Sequence, residues 1–322
     1  MHYRELGKTG IKVSEIGFGA WAIGESWWGK QDDRDSLAAL EKALDLGINF
    51  IDTAAVYGNG KSEKLIREFL KDRKDKIYFA TKTPPSNGIW RPSPWDPWEN
   101  TFSEAYLRRD VESRLRNLGT DCLDILQLHT WTRAWNRDPE PLRVLAKLKQ
   151  EGKIRAVGIS TPENDQDSVI DPMKQGLVDV VQVIYNLFEQ QPAAELLPVA
   201  QEMGVGIIIR VAFDEGSLTG KFTKETRFPE GDFRGEYFKG DRLTETVKRV
   251  EEIRQDLGSE YSMAQAALLY TLAHPATSCV IPGIRNLQQA EANTAVSGMV
   301  GLPEALQIKL RRHEWHRGVW YP

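Results

Sequence analysis

INFIDTAAVYG, residues 48–58, is the stretch that decides the fold. It begins with a mainly apolar run of the length of a buried strand, and Asp52 follows where that run ends. Amphipathic helical patterns flank the stretch at 35–46 and at 62–71. Two parallel strands need a crossover connection that usually contains a helix, so a short apolar run between two such patterns predicts a parallel β/α unit.

This unit recurs along the chain. The predicted strands lie at 16–19, 48–51, 77–81, 122–128, 154–159, 179–184, 205–210 and 278–281. The other helical patterns lie at 103–118, 139–151, 163–175 and 193–203, in a pair within 241–274, at 286–297 and at 302–313. Eight such units in 322 residues favour a closed (β/α)8 TIM barrel in a single domain, residues 1–322.

Two further features bear on the architecture. Residues 3–16 alternate around a Lys-Thr-Gly turn, which predicts an N-terminal β-hairpin, and long segments after several strands predict extended loops at the catalytic face. An open doubly wound sheet is the alternative. It would carry a GxGxxG dinucleotide fingerprint early in the chain, and GFGAWAIG at 17–24 lacks that spacing.

Composition restricts the partners. The chain has 42 Lys and Arg against 46 Asp and Glu, a net charge of -4, which argues against a nucleic-acid or anionic-membrane surface. No secretory signal is visible, and no apolar run approaches the ~20 residues that span a bilayer. We therefore expect a cytoplasmic protein, and a homo-oligomer stays open. Cys122 and Cys279 lie in apolar runs, so both are expected to be buried, and a disulfide between them stays open.

Ionisable side chains follow three consecutive predicted strands. Asp52 and Tyr57 follow the second strand, Lys82 ends FATK, and His129 ends LQLH. The loops after the strands carry the active site of a TIM barrel, so these side chains are predicted to converge. A neighbouring ammonium lowers the ordinary tyrosine pKa of ~10, a carboxylate can hold that lysine, and an imidazole can hydrogen-bond a substrate oxygen. Singly, each residue is better explained as structural; together they predict a tuned general acid.

A general acid cannot itself reduce a carbonyl, so a cofactor has to carry the hydride. Two segments suit its phosphates. FDEGSLTGKF at 213–222 is rich in glycine and hydroxyl groups, and VIPGIRNLQQAEAN at 280–293 runs from the last strand into a helix. Barrels commonly bind phosphate at the loops after their last two strands, and a helix start favours an anion. No cluster of metal ligands is apparent, so no metal is predicted.

Tryptophans concentrate in the predicted loops. An aromatic-walled substrate pocket is predicted from six of them: Trp27, Trp28, Trp90, Trp95, Trp98 and Trp131. The alternative is that these loops simply pack against each other. The charged, glycine-containing segment 223–240 is interpreted as a lid over the cofactor.

Several motifs together resemble a known family. GINFIDTAAVYG at 47–58 is similar to the aldo-keto reductase signature G-x-N-x-x-D-T-A-x-x-Y-G, and Ser-Glu at 62–63 follows it. FATK, LQLH, GIS, VQVIYN, GSLTGKF and VIPGIRN come next in the family's order and spacing. The resemblance is strongest to the bacterial and plant branch that includes the potassium-channel β subunits. It implies a reductase of small-molecule carbonyls that uses NADPH (NADP+), with NADH as the other option.

The resemblance also implies residue roles. Tyr57 would be the general acid tuned by Lys82 and Asp52, and His129 would orient the carbonyl. The implied cofactor contacts are Gly19, Ala20 and Trp21 near the nicotinamide, Ser160 and Gln182 on its carboxamide, Ser217, Leu218 and Lys221 on the pyrophosphate, and Gly283, Arg285, Gln289 and Asn293 at the adenosine end. Arg285 would meet a 2′-phosphate, which favours NADPH.

Two positions depart from the family pattern. Thr161 follows Ser160 where asparagine is usual, and threonine is a shorter partner for the carboxamide. Arg210 stands where an aromatic residue often stacks on the nicotinamide, and its charge would favour the reduced cofactor. A nucleotide-sensing regulatory or partner-binding protein with little turnover is the second interpretation of the same motifs.

Overall fold

The computed structural model describes residues 1–23 and 32–316, and its centre is a sheet of eight parallel strands. All eight predicted strands are present, within two residues at each end. The strands are β3 (Phe18–Gly19), β4 (Phe50–Asp52), β5 (Tyr78–Thr83), β6 (Leu123–Leu128), β7 (Ile154–Ser160), β8 (Val180–Ile184), β9 (Gly206–Arg210) and β10 (Thr277–Val280), and each pairs with the next in chain order.

The sheet closes on itself. Ile16 bridges Val280 in parallel, and the backbone N–H of Gly17 donates to the Val280 carbonyl at 2.8 Å. A β-carbon at Gly17 would lie 2.9 Å from the Cys279 sulfur, so only glycine permits this close approach. Closure between β3 and β10 confirms the predicted (β/α)8 barrel.

Helices alternate with these strands around the outside. They are α1 (Asp33–Asp45), α2 (Lys61–Leu70), α3 (Glu99–Phe102), α4 (Glu104–Leu118), α5 (Glu140–Gln150), α6 (Ile170–Lys174), α7 (Leu196–Met203), α8 (Arg234–Tyr237), α9 (Arg242–Leu257), α10 (Met263–Ala273), α11 (Leu287–Ala295) and α12 (Glu304–Leu310). The helix predicted at 163–175 is shorter than expected, because a 3-10 turn at Gln166–Val169 occupies its first half.

The predicted hairpin consists of β1 (Tyr3–Glu5) and β2 (Lys12–Ser14), paired antiparallel. Its side chains Leu6, Ile11 and Val13 are fully buried and pack with the residues that point into the barrel. Because the eight barrel strands are parallel, they all begin at the same end of the barrel, and the hairpin closes that end. Polar side chains lie at the opposite end, where the barrel strands finish.

The two cysteines differ from each other. Cys279 is buried in the barrel interior, as predicted, but Cys122 is exposed and that prediction was wrong. Cys122 stands one residue before β6, in a turn where its backbone N–H and carbonyl both bond the Thr120 hydroxyl. Both thiols are free, so they form no disulfide.

Among residues 1–23 and 32–316, no helix combines the length and the apolar character that crossing a bilayer requires.

Candidate active site

The barrel interior changes from apolar to polar toward the ends of its strands. The interior layer includes Phe50, Ala80, Ile125, Ala156, Val180 and Ile208. Side chains alternate across a strand, so the residue two positions later points the same way. Those residues are Asp52, Lys82, Gln127, Gly158, Gln182 and Arg210. A polar layer therefore lies directly above the hydrophobic interior.

Asp52 and Lys82 form the centre of this layer. The Lys82 ammonium lies 2.6 Å from Asp52 Oδ2 and donates a second bond to the Thr53 carbonyl at 2.8 Å. Lys82 is fully buried. Burial lowers the pKa of Lys82, and the contact with Asp52 opposes that change. The sequence prediction that these two groups meet is matched by the geometry.

Tyr57 lies over the same ammonium. The Lys82 nitrogen is 5.3 Å from the centre of the Tyr57 ring, and Trp21 stacks on that ring at 6.5 Å between centroids. The backbone of the loop holds the phenol there, because the Tyr57 N–H donates to Ala54 and the Tyr57 carbonyl accepts from Ser62. A positive charge beside a phenol stabilises its phenolate form.

His129 follows β6 on the other side of Lys82. Its backbone N–H donates to the Thr83 carbonyl at 2.9 Å, and Trp90 meets its ring edge-on at 5.0 Å. Burial, and then the charges of Lys82 and Arg210, hold the pKa of His129 well below its ordinary value. The imidazole is therefore neutral at neutral pH. Its buried Nδ1 has no hydrogen-bond partner among the described residues.

Gln182 reaches Asp52 from across the barrel. Its amide nitrogen donates to Asp52 Oδ1 at 2.7 Å, and Ser160 Oγ donates to its Oε1 at 3.4 Å. Asp52 thus accepts from Lys82 with one oxygen and from Gln182 with the other. The sequence interpretation placed Gln182 only on a cofactor amide and missed this contact, since the two residues are 130 positions apart.

Arg210 lies at the end of β9, beside Thr161. One terminal nitrogen of Arg210 donates to the Thr161 carbonyl at 3.1 Å, and the other lies 3.6 Å from Glu163 Oε1. The Arg210 Nε is buried without a partner among the described residues. The Thr161 hydroxyl contacts Gln166 Oε1 at 3.2 Å and the Gln182 carbonyl. The side chain of Thr161 therefore makes its hydrogen bonds to other residues of the protein.

The first predicted phosphate segment forms a tight turn after β9. Ser217 and Leu218 are buried, and the Ser217 hydroxyl donates to Asp214, which also accepts from the Tyr237 hydroxyl at 2.9 Å. Asp214 has φ +47° and Glu215 has φ +53°, a left-handed backbone that non-glycine residues seldom adopt. Lys221, predicted in the same group, is exposed.

The second predicted phosphate segment surrounds the start of α11. The Arg285 N–H donates to Gln289 Oε1 at 2.7 Å, and Asn293 Nδ2 lies 3.5 Å from the Gly283 carbonyl, so the four predicted residues lie together. Burial and the neighbouring guanidinium of Arg234 lower the pKa of Arg285. Arg234 belongs to segment 223–240 and is paired with Asp232 at 2.6 Å, and the Asp232 charge opposes its effect on Arg285.

The end of β3 and segment 223–240 come together near the position predicted for the nicotinamide. Gly19 ends β3 and bridges Gly283, and Ala20 is fully buried. Trp21 contacts Phe233 at 5.2 Å between centroids. Phe233 belongs to an aromatic cluster within 222–243 that also contains Tyr237 and Phe238. Segment 223–240 is thus joined through Trp21 to Tyr57.

The four pocket tryptophans that lie within the described residues do not form one wall. Trp90 lies against His129 and is 37% exposed, whereas Trp95 is 91% exposed. Trp98 donates from its indole N–H to Asp138 at 3.2 Å. Trp131 differs from the prediction, because it is 1% exposed and packs edge-on against Trp135 in the hydrophobic core. The other two predicted residues, Trp27 and Trp28, lie outside the described residues.

Across the described ranges 1–23 and 32–316, no three or more His, Cys, Asp or Glu residues are grouped so that they could hold a metal ion.

Comparison with known proteins places this geometry in context. Residues 15–305 match the model of the Aldo/keto reductase family. The aldo-keto reductase YhdN of Bacillus subtilis (strain 168) is 31% identical over 307 residues, which cover 92% of this chain and 89% of that protein. A probable voltage-gated potassium channel subunit beta of Oryza sativa subsp. japonica is 27% identical over 342 residues, covering 98% of this chain and 100% of that protein.

Solved structures agree. The holo form of aldo-keto reductase AKR11C1 from Bacillus halodurans superposes with a TM-score of 0.77 at 26% identity, covering 98% of this chain and 96% of that one. The match of the family model to most of the chain confirms the resemblance drawn from the motifs. The chain belongs to the aldo/keto reductase family.

Proposed function

We propose that this protein is an NADPH-dependent oxidoreductase that reduces the carbonyl of an aldehyde or ketone to an alcohol. One observation carries the proposal: a fully buried ammonium, Lys82, lies between the carboxylate of Asp52 at 2.6 Å and the ring of Tyr57 at 5.3 Å. A buried charge without a structural need is costly, and it is typical of an active site. Here it is placed to adjust the acidity of one phenol.

Tyr57 is the proposed proton donor. Its hydroxyl gives a proton to the carbonyl oxygen, and the Lys82 charge stabilises the phenolate that remains. His129 is the proposed orienting group, because a neutral imidazole can donate one hydrogen bond to the same oxygen without carrying a charge. The ring of Trp90 packs against His129 and limits its rotation.

The residues around this centre fit a nicotinamide dinucleotide. Ser160 and Gln182 offer a hydroxyl and an amide oxygen at the barrel mouth. The buried Arg210 Nε offers a donor that has no partner within residues 1–23 and 32–316. Ser217, Leu218, Lys221 and the residues around Arg285 would hold the phosphates, with Gly19, Ala20 and Trp21 beside the ring. When bound, the reduced nicotinamide supplies the hydride that the side chains cannot.

Arg234, which is paired with Asp232 at 2.6 Å, is close enough to Arg285, near the start of α11, to lower its pKa, and NADPH is proposed over NADH on the basis of these two guanidiniums. Such a pair suits the additional 2′-phosphate of NADPH, and bidentate contacts to phosphate are a general strength of arginine. The proposed substrate is a small carbonyl compound that contacts Trp90. The cytoplasm is the proposed location, since both cysteines are free thiols.

The decisive experiment measures the rate at which NADPH absorbance falls in the presence of a panel of aldehydes and ketones. The rates are compared between wild type and Tyr57→Phe. The variant is expected to bind NADPH normally and to lose carbonyl reduction. Tyr3→Phe is the matched control, because it removes a tyrosine hydroxyl that bonds the Gly47 carbonyl far from Lys82. If Tyr57→Phe turns over at the wild-type rate, Tyr57 is not the proton donor.

A regulatory protein that senses nicotinamide nucleotides is the second candidate. It is favoured by the full-length similarity to a probable potassium channel β subunit. The same panel separates the two functions. Tight NADPH binding in wild type, with no oxidation of NADPH by any carbonyl compound in the panel, would favour the regulatory protein.

A further inference from the structure

The first turn of α2 lies directly behind the proposed proton donor. Ser62 and Glu63 are both fully buried. The Ser62 N–H donates to the Tyr57 carbonyl at 3.2 Å, and the Ser62 hydroxyl accepts from Thr53 Oγ1 at 2.9 Å. The carbonyl of Thr53 in turn accepts from Lys82 at 2.8 Å. One helix turn therefore contacts the segments that carry both Tyr57 and the backbone partner of Lys82.

Glu63 contacts the strand of Lys82 from outside the barrel. Its Oε1 accepts from the Thr81 hydroxyl at 2.6 Å, and Thr81 precedes Lys82 in β5. Successive side chains of a strand point to opposite faces, so Thr81 faces the helices while Lys82 faces the barrel interior. The contact therefore fixes the outer face of β5 at the point where its inner face presents the ammonium.

The other carboxylate oxygen of Glu63 is held by α4. Asn117 Nδ2 donates to Oε2 at 2.8 Å, and Arg114 Nη1 lies 3.2 Å from the same oxygen. On the far side of Lys82, Thr83 donates to Asp110 of α4 at 2.8 Å. Burial raises the pKa of Glu63, and the Arg114 charge opposes that change. A solvent-excluded carboxylate held by Thr81, Asn117 and Arg114 restricts movement of β5.

We propose that Glu63 is a positioning residue for the Lys82–Tyr57 pair, acting through Thr81 to hold the ammonium under the phenol. This inference rests on the proposed function of that pair. Glu63 touches neither substrate nor cofactor, and its effect is on the rate of the proton transfer rather than on binding. Small displacements of reacting groups are costly, since about 1 Å can lower a rate roughly a hundredfold.

Glu63 also acts on Lys82 by charge. Three charged groups act on Lys82. Asp52, in contact with it, and Glu63, on the outer face of β5, favour the ammonium, and Arg210 opposes it. The other titratable neighbours are the neutral ring of His129 and the Tyr57 phenol. Loss of the Glu63 charge favours the neutral amine, so the ammonium is lost at a lower pH than in wild type.

Two variants separate position from charge. Thr81→Val keeps the shape of the side chain and removes the hydroxyl that reaches Glu63. Glu63→Gln removes the charge as well. Thr277→Val is the matched control, because it removes a buried strand threonine hydroxyl that bonds the Thr271 carbonyl, near the start of β10. The measurements are kcat for carbonyl reduction between about pH 6 and 10, the Kd for NADPH from fluorescence, and the melting temperature.

The expected pattern differs from that of a purely structural residue. Thr81→Val is expected to lower kcat about tenfold and Glu63→Gln about tenfold to a hundredfold, with the Kd for NADPH within about twofold of wild type. The alkaline limb of the kcat profile is expected to move to lower pH by about half a unit in Glu63→Gln and to stay in place in Thr81→Val. Thr277→Val is expected to lose stability only.

The inference is overturned if kcat in Thr81→Val stays within about twofold of that in Thr277→Val. That variant is informative even if Glu63→Gln fails to fold. An unmoved alkaline limb in folded Glu63→Gln overturns the electrostatic part. Tyr57→Phe, measured in parallel, tests the proposed function separately: normal turnover there removes Tyr57 as the proton donor, whatever the Glu63 and Thr81 variants show.

Discussion

Replacing Asp52 with asparagine is expected to destabilise the fold by an amount that falls as the pH rises. Lys82 is fully buried, and the Asp52 carboxylate contacts its ammonium at 2.6 Å. The variant leaves that ammonium without its counter-charge, which typically costs about 3–5 kcal/mol. Burial lowers the pKa of Lys82 already, so in the variant the lysine avoids part of this cost by losing its proton.

Proton loss sets an upper limit on the destabilisation. Deprotonating a lysine with an unfolded pKa of ~10.4 costs about 1.4 kcal/mol for each pH unit below that value, hence about 4.6 kcal/mol at pH 7 and about 2 kcal/mol at pH 9. The unfolded variant then holds a proton on Lys82 that the folded variant lacks. Its free energy of unfolding therefore rises with pH over this range, and more steeply than in wild type, where Asp52 opposes proton loss.

Urea unfolding followed by tryptophan fluorescence at pH 7, 8 and 9 measures this dependence. Asp52→Asn/Lys82→Met removes both charges and is expected to be more stable than Asp52→Asn at pH 7. Asp75→Asn is the matched control, because it breaks an exposed pair with Arg73. A loss below about 1 kcal/mol at pH 7, or an equal loss at pH 7 and 9, would refute the reasoning.

Three further predictions concern the cofactor. Arg210→Tyr removes a positive charge beside the proposed nicotinamide position, so the preference for NADPH over NADP+ in equilibrium titrations is expected to fall roughly threefold to tenfold; an unchanged ratio contradicts it. Arg285→Ala is expected to weaken NADPH about tenfold and NADH less than twofold, and equal weakening would mean that Arg285 does not meet the 2′-phosphate. NADPH is expected to protect residues 223–240 from limited proteolysis, whereas equal cleavage with and without it counts against a lid.

The strands were predictable because two physical patterns coincide in them. Each is a short apolar run, and each is followed by a helical pattern on the surface. The placement of Asp52 and Lys82 in the barrel was predictable for a related reason. In FID and in FATK, the apolar residue and the polar residue two positions later face the same way, so Phe50 leads to Asp52 and Ala80 to Lys82. Such local alternation identifies which side chains enter the barrel.

Burial of single side chains was harder to predict. Cys122 follows a turn residue, and its apolar neighbours begin only at Leu123, so the run suggested burial one position too early. Trp131 was assigned to the pocket wall because it lies in a loop after β6, yet that loop turns back and packs the indole against Trp135. The path of a loop depends on tertiary packing, which residue type and spacing do not determine.

Two contacts between distant segments were missed, those of Glu63 with Thr81 and of Gln182 with Asp52. Glu63 was read only as the start of a helix, although the combination of a buried first turn and polar residues on the outer face of β5 would have indicated a partner. Gln182 was assigned a single role. Its distance of 130 residues from Asp52 leaves no local signal, and only closure of the barrel brings the two together.

The contact between Gln182 and Asp52 restricts which atoms of Gln182 remain available to bind a cofactor. A carboxylate has no hydrogen to donate, so Gln182 has to present its amide nitrogen to Asp52 and its Oε1 to the barrel mouth. Oε1 could then accept from an amide N–H of the nicotinamide. Ser160 Oγ donates to Oε1 at 3.4 Å and would give up that bond to donate to the carbonyl of the same amide. Gln182 would thus contact the cofactor and Asp52 at once, and Asp52 holds the ammonium under Tyr57. A change at Gln182 should therefore affect cofactor affinity and proton transfer together, whereas a change at Glu63 should affect proton transfer alone.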